Sequence, residues 1–374
     1  MLNHEIQVLK MAAICTPWRL AHHLKLWSGN GANVQFVTES ADWAIRWLGE
    51  YIKVEVNALE PGRMAVTSRP EKIVDRVVHF GSPHLWRMWG NAMSRSNRFI
   101  VSYFHGRVED GDSYRRQIDA FLRSQSQLEK IITGASIMEK RLIDWGISPN
   151  KVVQIPIGVD TKIFCPPIND QRELSRRKLG IPDGIILVGS FQKDGNGWGD
   201  GSEPKLIKGP DLFVAALAQL KSKGLPVMAL LTGPSRGYIK TALTSAGIPF
   251  RHLYVANHSQ LVSCYHALDL YIIASREEGG PMALMESMAS GVPVISSRVG
   301  MSIDLIKTGV NGFLADIGDT VAIANHVLNL VESKNTRQII RNARHTALGV
   351  DWSIVARAHL QKVYRANSET NFSI

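Results

Sequence analysis

Short apolar runs alternate along the chain with longer segments whose apolar positions recur at helical spacing. Residues 33–38, 76–80, 99–103, 130–133 and 151–156 read as strands. Between them, 42–52 places Trp43, Ile45, Trp47 and Leu48 near one helical face, and 114–129 and 136–145 repeat the helical pattern. Strands separated by helices predict βα units and a mainly parallel sheet. A break at 157–170 contains Pro166 and Pro167 and leads into a charged run. A second series follows, with strands expected at 185–188, 227–231, 270–274 and 293–296 and helices at 210–220, 281–290 and 321–332. The pattern predicts two consecutive α/β domains, 1–160 and 161–349, without an internal repeat. Residues 1–32 precede the first strand and carry Trp18, His22, His23, Leu24 and Trp27. They are expected to pack on the first domain, with Pro17 interrupting any helix; a membrane-surface segment is the sharper alternative.

Composition narrows the class. The 374 residues are 45% hydrophobic and 20% charged, which excludes a wholly disordered chain and a polytopic membrane protein. No stretch approaches the roughly 18 apolar residues of a membrane span. The apolar run 11–15 is too short for a signal-peptide core, and Cys15, Cys165 and Cys264 form no C-x-x-C pair. A cytoplasmic setting is therefore expected. The net charge of +10 is shared by both halves, a diffuse field that attracts phosphorylated small molecules or anionic lipid. No zinc-finger or RNP spacing accompanies it, so nucleic acid is not an expected partner.

The chemistry concentrates in 274–299, ASREEGGPMALMESMASGVPVISSRV. A strand ends in a polar turn, and Pro281 suits a helix start. Gly279 and Gly280 admit close approach of a ligand, and the exposed amides of a helix start favour an anion such as a diphosphate. Glu278 and Glu286 are eight residues apart, so they can meet different parts of one extended ligand, a carboxylate accepting from two sugar hydroxyls. A solvated acidic helix start would account for them equally well on spacing alone.

A second window, 188–211 (VGSFQKDGNGWGDGSEPKLIKGPD), also lies between a strand and a helix. It offers Gly189 at the strand, then Lys193, Lys205 and Lys208. Ammonium groups there can neutralise a diphosphate leaving group as charge develops. No G-x-x-x-x-G-K-[ST] occurs, which excludes a P-loop. In the first half, His105 and Gly106 end a strand, and Asp110-Gly111-Asp112 forms a D-x-D. That triplet reads as a cap for the helix starting near Ser113 rather than a Mg²⁺ or Mn²⁺ site. Thr232, Gly233 and Pro234 end another strand, with Arg236 just beyond as a surface charge or phosphate contact. The aromatic segment 84–89 reads as core or interdomain packing, or as a pocket wall.

The 274–299 window resembles the E-x7-E motif of family GT4, retaining glycosyltransferases with the GT-B fold. The similarity extends through Gly291, Pro293, Val294 and Ile295, through Gly309, Asn311, Gly312 and Phe313, and through Ile157, Gly158, Val159, Asp160 and Phe164. It spans nearly the whole second half. It implies two Rossmann-like domains facing across a cleft, with a final helix in 350–374 crossing back to the first. It implies transfer of a sugar from a nucleotide diphosphate sugar to a hydroxyl of a glycan or lipid-linked acceptor, with retention.

By the same resemblance, His105, Glu278 and Lys208 are the expected catalytic residues, with Glu278 on the donor sugar. Glu286 is expected on the ribose, and Gly279, Gly280, Pro281, Met282, Lys205, Gly189 and Gly233 around the donor. Similar proteins carry an Arg where Ser190 stands, so Lys193 or Lys205 is expected to substitute. They also carry a glycine-rich loop where this chain has TESADW at 38–43. No resident cofactor and no essential metal are expected, and an anionic membrane face is an expected site of peripheral association. A GT-B epimerase or phosphorylase, or a silent nucleotide-sugar-binding scaffold, are the alternative readings.

Overall fold

The computed structural model describes residues 2–29, 31–40, 44–197, 199–255 and 257–365. Asp42 and Trp43 of the expected helix at 42–52, and residues 366–374 of the expected last helix, lie outside the described residues. The chain divides into two compact units, Met1–Ile157 with Trp352–Ile374, and Gly158–Asp351.

The first unit contains α1 (Leu2–His23), β1 (Val34–Val37), α2 (Ala44–Leu59), β2 (Met64–Thr67), β3 (Val77–Phe80), α3 (Pro83–Trp89), β4 (Arg98–Ser102), α4 (Asp112–Ser124), β5 (Lys130–Thr133), α5 (Ser136–Asp144) and β6 (Val152–Gln154). Its strands form one parallel sheet in the order β2-β1-β3-β4-β5-β6. Both β1 and β3 are buried along their whole length, as expected where helices cover both faces of a parallel sheet. Trp86 is in this core, against Phe80 and Phe99, which settles the aromatic segment of α3 as packing at that position.

The N-terminal helix departs from expectation, because Pro17 lies inside α1 rather than ending it. Proline removes one donor and crowds the preceding turn. The surrounding side chains hold the helix together: Thr16 Oγ1 donates to Ala12 O at 2.7 Å, and Cys15 is fully buried in the core of this unit. Trp18 packs edge-on to Trp27 with Lys72 Nζ 4.4 Å from its ring centroid, and Arg19 donates to Ala92 O.

The second unit contains α6 (Gln171–Leu179), β7 (Ile186–Phe191), α7 (Pro210–Ser222), β8 (Val227–Thr232), α8 (Gly237–Ser245), β9 (Phe250–Leu253), α9 (Leu261–Ala267), β10 (Leu270–Ile273), α10 (Met282–Ala289), β11 (Val294–Ser297), α11 (Ser302–Leu305), β12 (Phe313–Ala315), α12 (Thr320–Glu332) and α13 (Thr336–Leu348). Its sheet is also parallel, in the order β12-β11-β10-β7-β8-β9. The register pairs Phe191 with Thr232 and Gly189 with Tyr271, so β7, β8 and β10 end along one edge. Loops leaving that edge are where open α/β sheets place ligands.

After the second unit, α14 (Trp352–His359) and a π-helical turn, Leu360–Tyr364, return to the first. Trp352 stacks on Tyr51 of α2 at 5.3 Å and 6°. Arg98 pairs with Glu129 and also donates to Tyr364 O, which fixes the end of this return. Beneath it, His79 is bonded through Nδ1 to Tyr364 Oη and through Nε2 to Ser102 Oγ, each at 2.8 Å.

Candidate active site

Two loops at the edge of the second sheet are tied together by short-range chemistry. The first carries Lys208 and Gly209 from a 3-10 turn into α7. Gly209 has φ +64°, and a Cβ there would stand 1.9 Å from Ala274 O, so only glycine allows this loop to abut the end of β10. The second loop, 274–281, is clamped to the first by Arg276, whose two Nη atoms bind both oxygens of Asp211 at 2.8 and 2.6 Å. Arg276 also donates its backbone N–H to Ile207 O and its Nη1 to Leu206 O. Sequence reasoning missed Arg276 as the clamp, because its partner Asp211 lies in a different window.

This clamp brings Lys208 Nζ to 2.7 Å from Glu278 Oε2, while Ser275 Oγ donates to Glu278 Oε1 at 3.0 Å. The Glu278 side chain is 8% exposed and that of Lys208 21%. Lys205 is close by: burial first, then the neighbouring ammonium groups of Lys208 and Lys193, lower its pKa, and Glu278 opposes them. Lys208 and Lys205 thus both act on one carboxylate, with Lys193 beside Lys205, an excess of positive charge in a partly desolvated site, where Coulomb interactions are strong.

The second carboxylate is held differently. Glu286 lies in α10, which starts at Met282 with Pro281 as its cap. His258 Nε2 meets Glu286 Oε1 and Tyr265 Oη donates to Glu286 Oε2, both at 2.7 Å. Burial opposes the charge on His258, but the Glu286 carboxylate outweighs it and raises the pKa. Each carboxylate oxygen accepts one internal bond and has a second lone pair. Phe191, Tyr265 and Tyr271 form a wall beside the two carboxylates, with ring centroids 4.8 and 5.4 Å from Phe191. Neither His258 nor Tyr265 was legible as a partner of Glu286; only their position before β10 could have hinted at it.

The remaining expected residues are placed as follows. Gly279 and Gly280 lie in the loop before α10, and Met301 N donates to Gly279 O. Gly189 is inside β7, where a Cβ would strike Leu268 and Tyr271, so its smallness serves packing. Gly233 turns the chain after β8 and accepts from His252 Nε2 at 2.8 Å. His105 is exposed in the loop after β4 of the first unit, and belongs to a different compact unit from Lys208 and Glu278. In the D-x-D triplet, Asp110 accepts from Arg107 N, Nε and Nη2 and so closes the 3-10 turn Val108–Asp110, rather than capping α4. Asp112 is the first residue of α4 itself. Among the described residues no group of three or more His, Cys, Asp or Glu is arranged to hold a metal.

Arg236 is neither a surface charge nor exposed to a ligand. It is 1% exposed, with Nη1 donating to the carbonyls of Ser190, Gln192 and Thr232, and Nη2 to Ser190 Oγ. Its Nε is 3.0 Å from Asp194 Oδ1. The guanidinium therefore packs against the residue that stands where similar proteins carry an arginine.

Two Rossmann-like parallel units, with paired glutamates and a lysine at the carboxyl edge of the second sheet, define the GT-B class. Residues 204–346 match the family described as Glycosyl transferases group 1. That match lies within the second unit and agrees with the GT4 resemblance of the sequence. It is 26% identical over 285 residues to a D-inositol 3-phosphate glycosyltransferase of Acidothermus cellulolyticus, covering 71% of this chain and 60% of that protein. It is 33% identical over 168 residues to the lipopolysaccharide core biosynthesis mannosyltransferase LpsB of Rhizobium meliloti, covering 43% of this chain and 44% of that protein. The chain thus spans less than two thirds of the length of these relatives. In fold it is similar to Anabaena Alr3699/HepE, solved with UDP and glucose, with a TM-score of 0.71 and 17% identity over 90% of this chain and all of that one.

Proposed function

We propose that this chain is a retaining hexosyltransferase that moves a sugar from a nucleoside diphosphate sugar to a hydroxyl of a glycan or lipid-linked acceptor. The observation that carries this reading is the Lys208–Glu278 pair, set among Lys205 and Lys193 at the carboxyl edge of β7 and β10. Ammonium groups there stabilise the diphosphate as the bond from its β-phosphate oxygen to the sugar C1 breaks. The electron pair leaves with the diphosphate. The acceptor oxygen bonds C1 on the same face, and its proton passes to a phosphate oxygen. Glu278 orients the donor sugar, Glu286 takes the ribose diol, and the amides from Gly279 to Met282 serve the phosphates, with Gly233 lining the donor. His105 is assigned to the reaction centre on the acceptor side. A similar mannosyltransferase, a similar D-inositol 3-phosphate glycosyltransferase, and a structural neighbour solved with UDP and glucose support the donor class.

The lysine cluster supplies the charge that a divalent ion supplies elsewhere, so no essential metal is assigned. A hydrolysis and transfer screen of UDP-, GDP- and ADP-sugars with the purified chain, run with and without EDTA, tests both points. One donor turned over at similar rates in either buffer is the expected result. Activity that vanishes in EDTA and returns with Mn²⁺ contradicts the metal-free assignment, and turnover of none contradicts the reaction.

We place the acceptor at an anionic membrane face on the cytoplasmic side. No helix among the described residues is long and apolar enough to cross a membrane, and the chain carries a net charge of +10. Each basic residue near such a surface contributes about 1 kcal/mol, screened by salt. Co-sedimentation with anionic but not neutral vesicles, released by salt, is the expected result; equal binding to both, or none at low salt, sinks the placement.

A further inference from the structure

The described residues between β7 and the Lys208 turn form a hydrogen-bonded arm. Gly195 bridges Pro204, and Asn196 N donates to Glu203 O at 2.9 Å, so the arm closes on itself. Its bend docks on the turn after β8: Ser235 Oγ donates to Gly199 O at 2.9 Å, while Gly237 N and Tyr238 N donate to Asp200 O and Gly201 O. A Cβ on Gly201 would stand 2.2 Å from Ser235 O, so the backbones touch. At the root of the arm are the buried Asp194 and Arg236, each 1% exposed.

Arg236 grips Gln192 O on one side of Lys193 and faces the Asp194 carboxylate on the other. Asp194 O in turn accepts from Lys205 N at 2.7 Å. One guanidinium thereby fixes the backbone on both sides of Lys193 and, through Asp194, the backbone of Lys205. A carboxylate and a guanidinium buried together are costly to desolvate. Burial raises the Asp194 pKa to about 6 even with Arg236 beside it, which marks how little solvent reaches the pair.

We propose that Asp194 and Arg236 are positioning residues for the diphosphate, holding the arm so that Lys193 and Lys205 stand where similar proteins use an arginine at the Ser190 position. This rests on the donor reading above and adds to it the part of the chain that substitutes for the missing cation.

The test is calorimetric titration of the full chain with a nucleoside diphosphate and its monophosphate, taking whichever of the UDP/UMP, GDP/GMP and ADP/AMP pairs the wild type binds. Asp194→Asn and Arg236→Met should weaken the diphosphate by about tenfold to a hundredfold, the scale of one lost charged hydrogen bond, and the monophosphate by less than about twofold. Gly201→Ala, which leaves the ion pair intact and lifts the arm off Ser235, should give the same split. It decides the matter, together with Asp194→Asn, if Arg236→Met fails to fold. Equal loss for both ligands means a merely structural role and overturns the proposal, as does unchanged diphosphate affinity in a folded variant. Failure of the wild type to bind any diphosphate overturns the donor reading, and this proposal with it.

Discussion

Lys208→Met should lower the rate of sugar transfer by about 10²–10³ while changing nucleotide affinity much less. Removal of one donor that meets developing charge in a desolvated site has an effect of this order. Lys208 is suited to such a role because its position is over-determined. Gly209 presses against Ala274, Gln192 donates to Lys208 O, and Arg276 clamps the turn to Asp211. The ammonium is thereby held before the donor arrives, and little reorganisation is left for the reaction itself. In the variant, Glu278 keeps its bond from Ser275, so the loop retains an anchor.

Glu286→Gln supplies the contrasting arm. Its carboxylate is bonded by His258 and Tyr265, and its expected partner is the ribose, which does not change during the reaction. A neutral amide should weaken donor binding by about 1.5–3 kcal/mol, the cost of a charged hydrogen bond, with kcat altered far less. Single-turnover rates and nucleotide titrations measured on both variants separate the two roles. If Lys208→Met retains transfer within a few-fold, or if both variants lose the same parameter, the division of labour is wrong.

What could be read from the sequence follows a physical rule. Interior strands such as β3, β7 and β10 are short apolar runs because helices cover both their faces, and they stand out from their surroundings. The three strands that the hydrophobic pattern misses, β2, β9 and β12, are all at sheet edges. β9, Phe-Arg-His-Leu, is partly exposed throughout, so burial imposed no apolar signature on it. The site divides in the same way. Glu278, Glu286, Gly279, Gly280 and Pro281 fall in one strand-turn-helix window, where local spacing carries the information. The partners that orient them, Lys208 for Glu278 and His258 and Tyr265 for Glu286, are joined only by the β10 ladder and its neighbours. Lys208 was expected from the family resemblance, whereas Arg236, read as a surface charge or a phosphate contact, meets Asp194 only through the fold.

A second large effect is expected on stability, and it arises in the first unit. His79 and His359 are both buried near the returning helix, with ring centroids 6.0 Å apart. Burial lowers both pKa values, that of His359 to about 4, and His359 further disfavours charge on His79. The groups facing them are neutral: Tyr364 Oη and Ser102 Oγ on His79, the Phe36 ring edge, and Val355 O on His359. No carboxylate is among these partners to stabilise an imidazolium.

In the unfolded chain a histidine takes up its proton near pH 6.5, so below that pH the unfolded state binds more protons and gains relative to the fold. The stabilisation is complete above about pH 7 and is lost as pH falls, by about 1.4 kcal/mol per unit for each histidine. For His359 the loss continues to about pH 4, where it reaches about 3 kcal/mol. Asp194 works in the opposite sense, since a carboxyl raised to about 6 is relieved by protonation as the pH drops. Urea unfolding at pH 7.5 and 5.0 should therefore show a lower midpoint in acid, and His359→Gln should be less acid-sensitive than the wild type at the same two pH values. An acid shift of the same size in that variant would mean that the buried histidines are not its source.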